Sequence, residues 1–99
     1  METLQDKLER MADKITFEDV VSEMTNIYKK KNSDYGDSFT KSCDEFGLIS
    51  PIIRMSDKLN RLKSLNKSEL LLCDDERLED TILDLANYAV MTLVWIKNK

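Results

Sequence analysis

The sequence predicts an all-α fold, a bundle of four to five helices in a single domain that is expected to oligomerise. Three observations carry this expectation. Apolar residues recur at helical spacing along most of the chain. Only two glycines and one proline interrupt 99 residues, too few for the turns of a sandwich or barrel. The stretch from Ala86 to Ile96 is apolar nearly all round, and such a helix is buried on every side, centrally or at a dimer interface. An apolar fraction of 41% sets the chain apart from disordered sequences.

The elements follow in order. Leu4, Leu8, Met11, Ala12 and Ile15 outline an N-terminal amphipathic helix over residues 1–15, ahead of a core spanning 16–97. Thr16 caps a second helix, with Asp19 as a short-armed partner in a capping box. Its apolar stripe is Phe17, Val20, Val21, Met24, Ile27 and Tyr28, and Lys29, Lys30 and Lys31 end it, where cations complement the helix dipole. Asn32 to Ser38 reads as a loop around Tyr35, because turn-favouring residues surround that ring. A short helix from Phe39 to Phe46 stops at Gly47. Ser50 then caps, and Pro51 opens, a long helix that buries Ile52, Met55, Leu59 and Leu62 and ends at Asn66-Lys67-Ser68. After a packed linker, Glu69 to Cys73, Asp74 or Asp75 caps a last helix that runs to about Lys97.

Composition removes several classes of function. A net charge of −4 argues against a nucleic-acid partner. The chain has no histidine, so Ser-His-Asp and Cys-His catalysis are excluded and any metal falls to carboxylates. Cys43 and Cys73 form no C-x-x-C pair and are expected to be reduced thiols of a cytoplasmic protein. Met1-Glu2-Thr3-Leu4 is acidic rather than basic, unlike a targeting segment. The apolar run before Lys97 is too short to span a bilayer.

Three constellations remain as candidates for chemistry. Glu76, Asp80 and Asp84 fall at i, i+4 and i+8 on one face of the last helix, and Asn87 continues it. Like charges so spaced repel. A hard cation such as Mg²⁺, held by carboxylates and substrate phosphates, offsets that cost. The plainer reading is a solvated helix start, which accounts well for Glu76 and Asp80 and poorly for Asp84. Arg54, Lys58 and Arg61 form a basic row on the preceding long helix, suited to phosphate oxygens or, more simply, to pairing with the acidic face. In the third, Lys31, Asn32, Asp34, Tyr35, Gly36 and Ser38 offer charge, a ring for stacking, close backbone approach and hydrogen bonds. An ordinary interhelical loop accounts for them equally well. Tyr88 and Trp95 are most simply packing residues.

Taken together, four blocks carry a resemblance. They are Phe17…Lys31-x-x-Asp34-Tyr35-Gly36-Asp37-Ser38, Asp44-Glu45-Phe46-Gly47-Leu48, Ile53-Arg54-Met55-Ser56-Asp57-Lys58-Leu59-x-Arg61-Leu62, and Asp75-Glu76-x-x-x-Asp80-Thr81-x-x-Asp84-Leu85-Ala86-Asn87-Tyr88. In this order, over residues 16–96, the chain closely resembles the nucleotide modification associated domain type 1 of phages and bacteria. That family is related to the all-α nucleotide pyrophosphohydrolases of the MazG and dimeric dUTPase kind. The resemblance implies an oligomeric helical bundle acting on a nucleotide in a bacterium or phage-infected host. It also implies Mg²⁺ on carboxylates from two helices, with Glu76 and Asp80 standing at the acidic motif of the later helix as catalytic and metal-binding groups. Asp84 continues their row as a further candidate ligand, and Glu45 is the candidate substitute for the earlier helix's cluster. The chain departs from the enzymes in one respect. Their dense E-E-x-x-E cluster is replaced on the second helix by Glu18 and Glu23 alone, five apart and on different faces.

Three functions are therefore expected, in this order. The first is a Mg²⁺-dependent nucleoside triphosphate pyrophosphohydrolase. The second is a protein that sequesters a nucleotide, such as a host defence signal, without cleaving it. The third is an oligomerisation module whose charges only solubilise it.

Overall fold

The computed structural model describes residues 1–35, 37–67 and 75–99, and of residues 10–12, 34–35 and 75–76 it describes the backbone alone. The described residues are largely helical, with no strand among them. Five helices follow one another: α1 (Leu4–Ala12), α2 (Phe17–Tyr35), α3 (Ser38–Phe46), α4 (Ile49–Lys67) and α5 (Asp75–Lys97). No helix among the described residues is long and apolar enough to cross a membrane.

Local chemistry sets most of the helix ends. Thr16 Oγ1 accepts from the Asp19 N–H at 3.1 Å and Asp19 Oδ2 accepts from the Thr16 N–H at 3.0 Å, the reciprocal cap expected from the sequence. Thr3 and Asp6 make the same box at the start of α1. Asp37 caps α3 by accepting from the Thr40 N–H at 3.2 Å. Gly47 ends α3 at φ 78° and ψ −162°, and its N–H donates to the Cys43 carbonyl at 2.8 Å. That backbone region is open to glycine almost alone. A Cβ on Gly47 would meet nothing within 4 Å, so an alanine there is strained only by its backbone. Gly47→Ala is expected to cost about 1–3 kcal/mol, measured by urea unfolding at unchanged m-value.

Several expectations need correction. Helix α1 stops at Ala12, which leaves Ile15 outside it and 79% exposed. Helix α2 does not end at the lysines but continues through Asn32, Ser33, Asp34 and Tyr35. The residues expected to form a loop each lower helix propensity by only a few tenths of a kcal/mol, roughly. Continuing the helix places Tyr28, Lys31 and Asn32 at i, i+3 and i+4 on one face against the rest of the fold. Helix α4 begins at Ile49, with Pro51 buried in its first turn, where a missing N–H costs nothing. Ile52 and Leu59, expected in the core, are exposed, while Met55 and Leu62 are half-buried. The all-round apolar half of α5 is likewise not enclosed, since Val90, Leu93, Val94 and Ile96 are all about half exposed. The linker Glu69 to Cys73 and the cap Asp74 lie outside the described residues.

Helix α5 is the centre of the fold, packing against α4 and α2. Arg54 and Lys58 of α4 meet Tyr88 and Asp84 of α5, so these two helices run antiparallel. Phe39 and Asp44 of α3 meet Tyr88 and Trp95, so α3 runs parallel to α5. The small core is Phe39, Cys43 and Trp95, with Tyr88 and Met91 against it. Thr81 and Thr92, buried on α5, donate to the carbonyls of Arg77 and Tyr88 at 2.6 Å, which satisfies their hydroxyls inside the helix ladder. The chain spans 61 × 36 × 23 Å with a radius of gyration of 17.7 Å. A close-packed domain of this length has about 13 Å.

Candidate functional site

The site grows from one face of α5. Asp84, Asn87, Tyr88 and Met91 stand at i, i+3, i+4 and i+7 and line a cavity of about 190 Å³. Helix α2 supplies Tyr28, Lys31 and Asn32 to the opposite wall, α3 supplies Ser38 and Phe39, and α4 supplies Arg54. Asn87 ties the two long walls together by donating from Nδ2 to the Met24 carbonyl at 3.3 Å.

Charge converges on Asp84. Lys31 Nζ donates to Asp84 Oδ1 at 2.8 Å, and Lys58 Nζ stands 3.2 Å from Oδ2. The two lysines come from different helices, so the carboxylate holds α2 and α4 to α5 at one point. Beside this pair, Phe39 and Tyr88 stack with centroids 6.1 Å apart at 22°. The Arg54 guanidinium lies 5.9 Å from each of those two ring centroids. The cavity thus has a cationic end and an aromatic side, an arrangement suited to an anion carrying a flat ring.

Burial pushes the Asp84 carboxyl up, but the hydrogen bonds and charges of Lys31 and Lys58 together outweigh it and hold its pKa below the ordinary value. Lys31 is raised, chiefly by its hydrogen bond to Asp84, with Asp80 adding a smaller charge effect. The signs set a pH window. Asp84 stabilises the fold above its unfolded pKa of about 3.9, and this is lost as pH falls through the lower folded value. Lys31 stabilises below its unfolded pKa of about 10.4, and this is lost as pH rises through the higher folded value. The stability difference between wild type and Asp84→Asn is expected to stay flat from about pH 5 to 9 and to close below about pH 4, read from urea midpoints.

Of the residues singled out in the sequence, Lys31, Asn32, Ser38, Arg54, Asp84 and Asn87 line the cavity and Lys58 reaches it through Asp84. Arg61 and Asp80 are exposed and lie outside the lining, although Asp80 is near enough to act on Lys31. Glu45, exposed on α3, is also outside it. The side chains of Asp34, Tyr35 and Glu76, and Gly36 as a whole, lie outside the described residues. Among the described residues no group of three or more Asp, Glu or Cys side chains stands together as a metal site. Both Asp84 oxygens are engaged by lysines, so the described donors do not fit a bound Mg²⁺ as they stand.

Sequence reasoning alone does not assign Tyr28, Phe39, Tyr88 or Met91 to the site. A signal for two of them exists, because Tyr88 and Met91 continue the Asp84–Asn87 row at helical spacing. Tyr88 both packs and lines the cavity. Trp95, on the far side of Phe39, is a packing residue that also donates from Nε1 to Asp44 Oδ1 at 2.9 Å.

Residues 31–96 match the family model described as nucleotide modification associated domain 1. The match begins at Lys31, so α1 and most of α2 precede it, while every described residue that bonds Asp84 falls within it. No curated protein and no solved structure matches the chain. The family match covers two thirds of the sequence, and the chain belongs to the nucleotide modification associated domain 1 family.

Proposed function

We propose that this chain binds a phosphorylated nucleotide in the cavity between α2, α4 and α5. The observation that carries this reading is the convergence of Lys31 and Lys58, from separate helices, on Asp84 with Arg54 beside a stacked pair of rings. Among the described residues, Arg54, Lys31 and Lys58 gather around Asp84, with Asp80 near Lys31, in a chain of net charge −4. Phosphate oxygens compete with Asp84 for the two ammonium groups, and the Arg54 fork gives bidentate hydrogen bonds. The half-buried Tyr88 ring offers a face for a base or sugar, with the buried Phe39 ring stacked against it. Membership of a family associated with nucleotide modification agrees with this ligand class.

Mg²⁺-dependent pyrophosphohydrolysis is the second reading. It is favoured by Asp80 and Asp84, one turn apart on α5 and both acting on Lys31, with Glu76 a further turn back. It requires the lysines to leave Asp84. The resemblance to MazG-like enzymes points the same way.

The two readings separate in one experiment. Canonical and modified nucleoside triphosphates are screened by thermal shift in EDTA and in Mg²⁺, and the products of each hit are analysed. A melting-temperature rise in EDTA with the ligand recovered intact supports binding. Monophosphate and pyrophosphate appearing only with Mg²⁺ support the hydrolase. An unchanged melting temperature across the whole panel overturns both.

A further inference from the structure

The cavity beside Asp84 is too small to enclose a whole nucleotide. Its volume of about 190 Å³ falls below the roughly 300–1,000 Å³ of ordinary small-molecule sites. A second cavity, of about 420 Å³, adjoins it. Tyr28, Phe39 and Met91 line both, so the two are neighbouring compartments that share one wall.

The compartments differ in chemistry. Lys31 and Arg54 give the first its cationic end. The second is lined by Asp37 and Asp44, from the start and the last turn of α3, and by Asn98 and Lys99, which follow α5. Both carboxylates are held in place by bonds to Oδ1. Asp37 Oδ1 accepts from the Thr40 N–H at 3.2 Å, and Asp44 Oδ1 accepts from Trp95 Nε1 at 2.9 Å. An ionised carboxylate has about four lone-pair sites across its two oxygens, so each keeps acceptor capacity for a ligand. Asn98, whose Nδ2 donates to the Val94 carbonyl, adds a side-chain carbonyl oxygen. Lys99 Nζ, 4.0 Å from the Trp95 ring centroid, adds a cation. Within the shared wall Phe39 is buried and Tyr28 is exposed, so a stacking ligand meets the Tyr28 ring.

A lining with two carboxylates selects among the bases by their donors. Guanine sets two donors side by side, N1–H and the 2-amino group, with the O6 acceptor next to them. Adenine and cytosine set one amino group beside a ring-nitrogen acceptor. Uracil sets a single N–H between two carbonyls, each of which repels a carboxylate.

We infer that the second cavity is a guanine subsite. The phosphates sit at Lys31 and Arg54, the sugar passes Tyr88 and Met91, and the base stacks on Tyr28. Its N1–H and 2-amino group donate to the Asp37 and Asp44 carboxylates, and O6 accepts from Lys99. The inference rests on the nucleotide reading of the first cavity and adds the base to it.

Calorimetric titration of the full chain with GTP, UTP and inorganic triphosphate, all in EDTA, tests this. GTP is expected to bind about tenfold or more tightly than UTP, the discrimination that a matched bidentate edge supplies. Asp37→Asn and Asp44→Asn each keep an oxygen for the Thr40 or Trp95 bond and put an amide in place of the second acceptor. Each is expected to cut the ratio of GTP to UTP affinity severalfold, and the double variant to bring it close to one. A folded double variant that keeps the full preference overturns the assigned acceptors. Equal affinity of the wild-type chain for both nucleotides, or a preference for UTP, overturns the guanine subsite whatever the variants do. The phosphate reading survives that result if inorganic triphosphate binds. No binding of any of the three overturns both.

Discussion

Asp84→Asn is expected to weaken the fold and strengthen metal-free phosphate binding in the same protein. The carboxylate holds Lys31 at 2.8 Å and Lys58 at 3.2 Å, and side-chain exposure is 24% for Asp84, 28% for Lys58 and 58% for Lys31. Solvent screens the Lys31 contact, so most of the loss comes from the better-covered Lys58 pair, for a total of about 1–2 kcal/mol. The same substitution releases two ammonium groups into the cavity and removes a negative charge next to the incoming phosphate. Affinity for inorganic triphosphate in EDTA is expected to rise about tenfold, equivalent to ~1.4 kcal/mol. A carboxylate that served as a metal ligand behaves in the opposite way: its loss weakens triphosphate binding in Mg²⁺ and abolishes turnover. Urea unfolding and calorimetric titration of one variant therefore separate the two readings of the site.

Arg54→Ala is expected to lower triphosphate affinity by about 10- to 100-fold, more than any other single change on the cationic side. Its guanidinium lies 5.9 Å from both the Phe39 and Tyr88 centroids, an arrangement that pre-orients the planar fork along the rings. Alanine removes the charge and the fork, and also costs about 0.5–1 kcal/mol of cation–π stabilisation per ring. Arg54→Lys keeps the charge without the bidentate geometry and is expected to recover only part of the affinity. Full recovery by lysine would show that Arg54 acts as a point charge, and no change in either variant would place the phosphate elsewhere. Titration of each variant with inorganic triphosphate reads the difference.

Local signals make much of the fold legible. The Thr16–Asp19 box and the Gly47 stop are readable because each rests on interactions within three or four residues. The Asn32–Tyr35 segment departs from its expected loop for an energetic reason. Its propensity deficit is small beside the tertiary packing that an unbroken helix achieves by carrying Tyr28 and Lys31 onto α5. The expectation of a buried α5 rests on the apolar pattern of one helix, and that pattern does not encode which neighbours the fold supplies to it. Within one chain, Leu93 and Ile96 face solvent.

The candidate site is legible by residue type and not by geometry. Arg54, Lys58, Lys31 and Asp84 each stand out from charge spacing on their own helices. Their meeting depends on the antiparallel register that sets Arg54 beside Tyr88 and Lys58 beside Asp84, which no single-helix pattern encodes. Phe39 escapes sequence reasoning because a lone aromatic at the start of a short helix looks like core, and it is core as well as cavity lining. Of the expected carboxylate quartet, Glu45 is outside the cavity lining, Asp84 is held by lysines, and the Glu76 side chain lies outside the described residues.

The lysine side chains report most directly on whether phosphate occupies the place now held by the Asp84 carboxylate. Nuclear magnetic resonance of the ¹⁵N-labelled lysine ammonium groups, titrated with pyrophosphate in EDTA, observes the exchange atom by atom. Lys31 and Lys58 should shift together and saturate at one pyrophosphate per chain, while Lys7 and Lys14 on the remote N-terminal segment stay still. If Lys31 and Lys58 keep their positions at millimolar pyrophosphate, Asp84 is a structural clasp and the cavity is not a phosphate site.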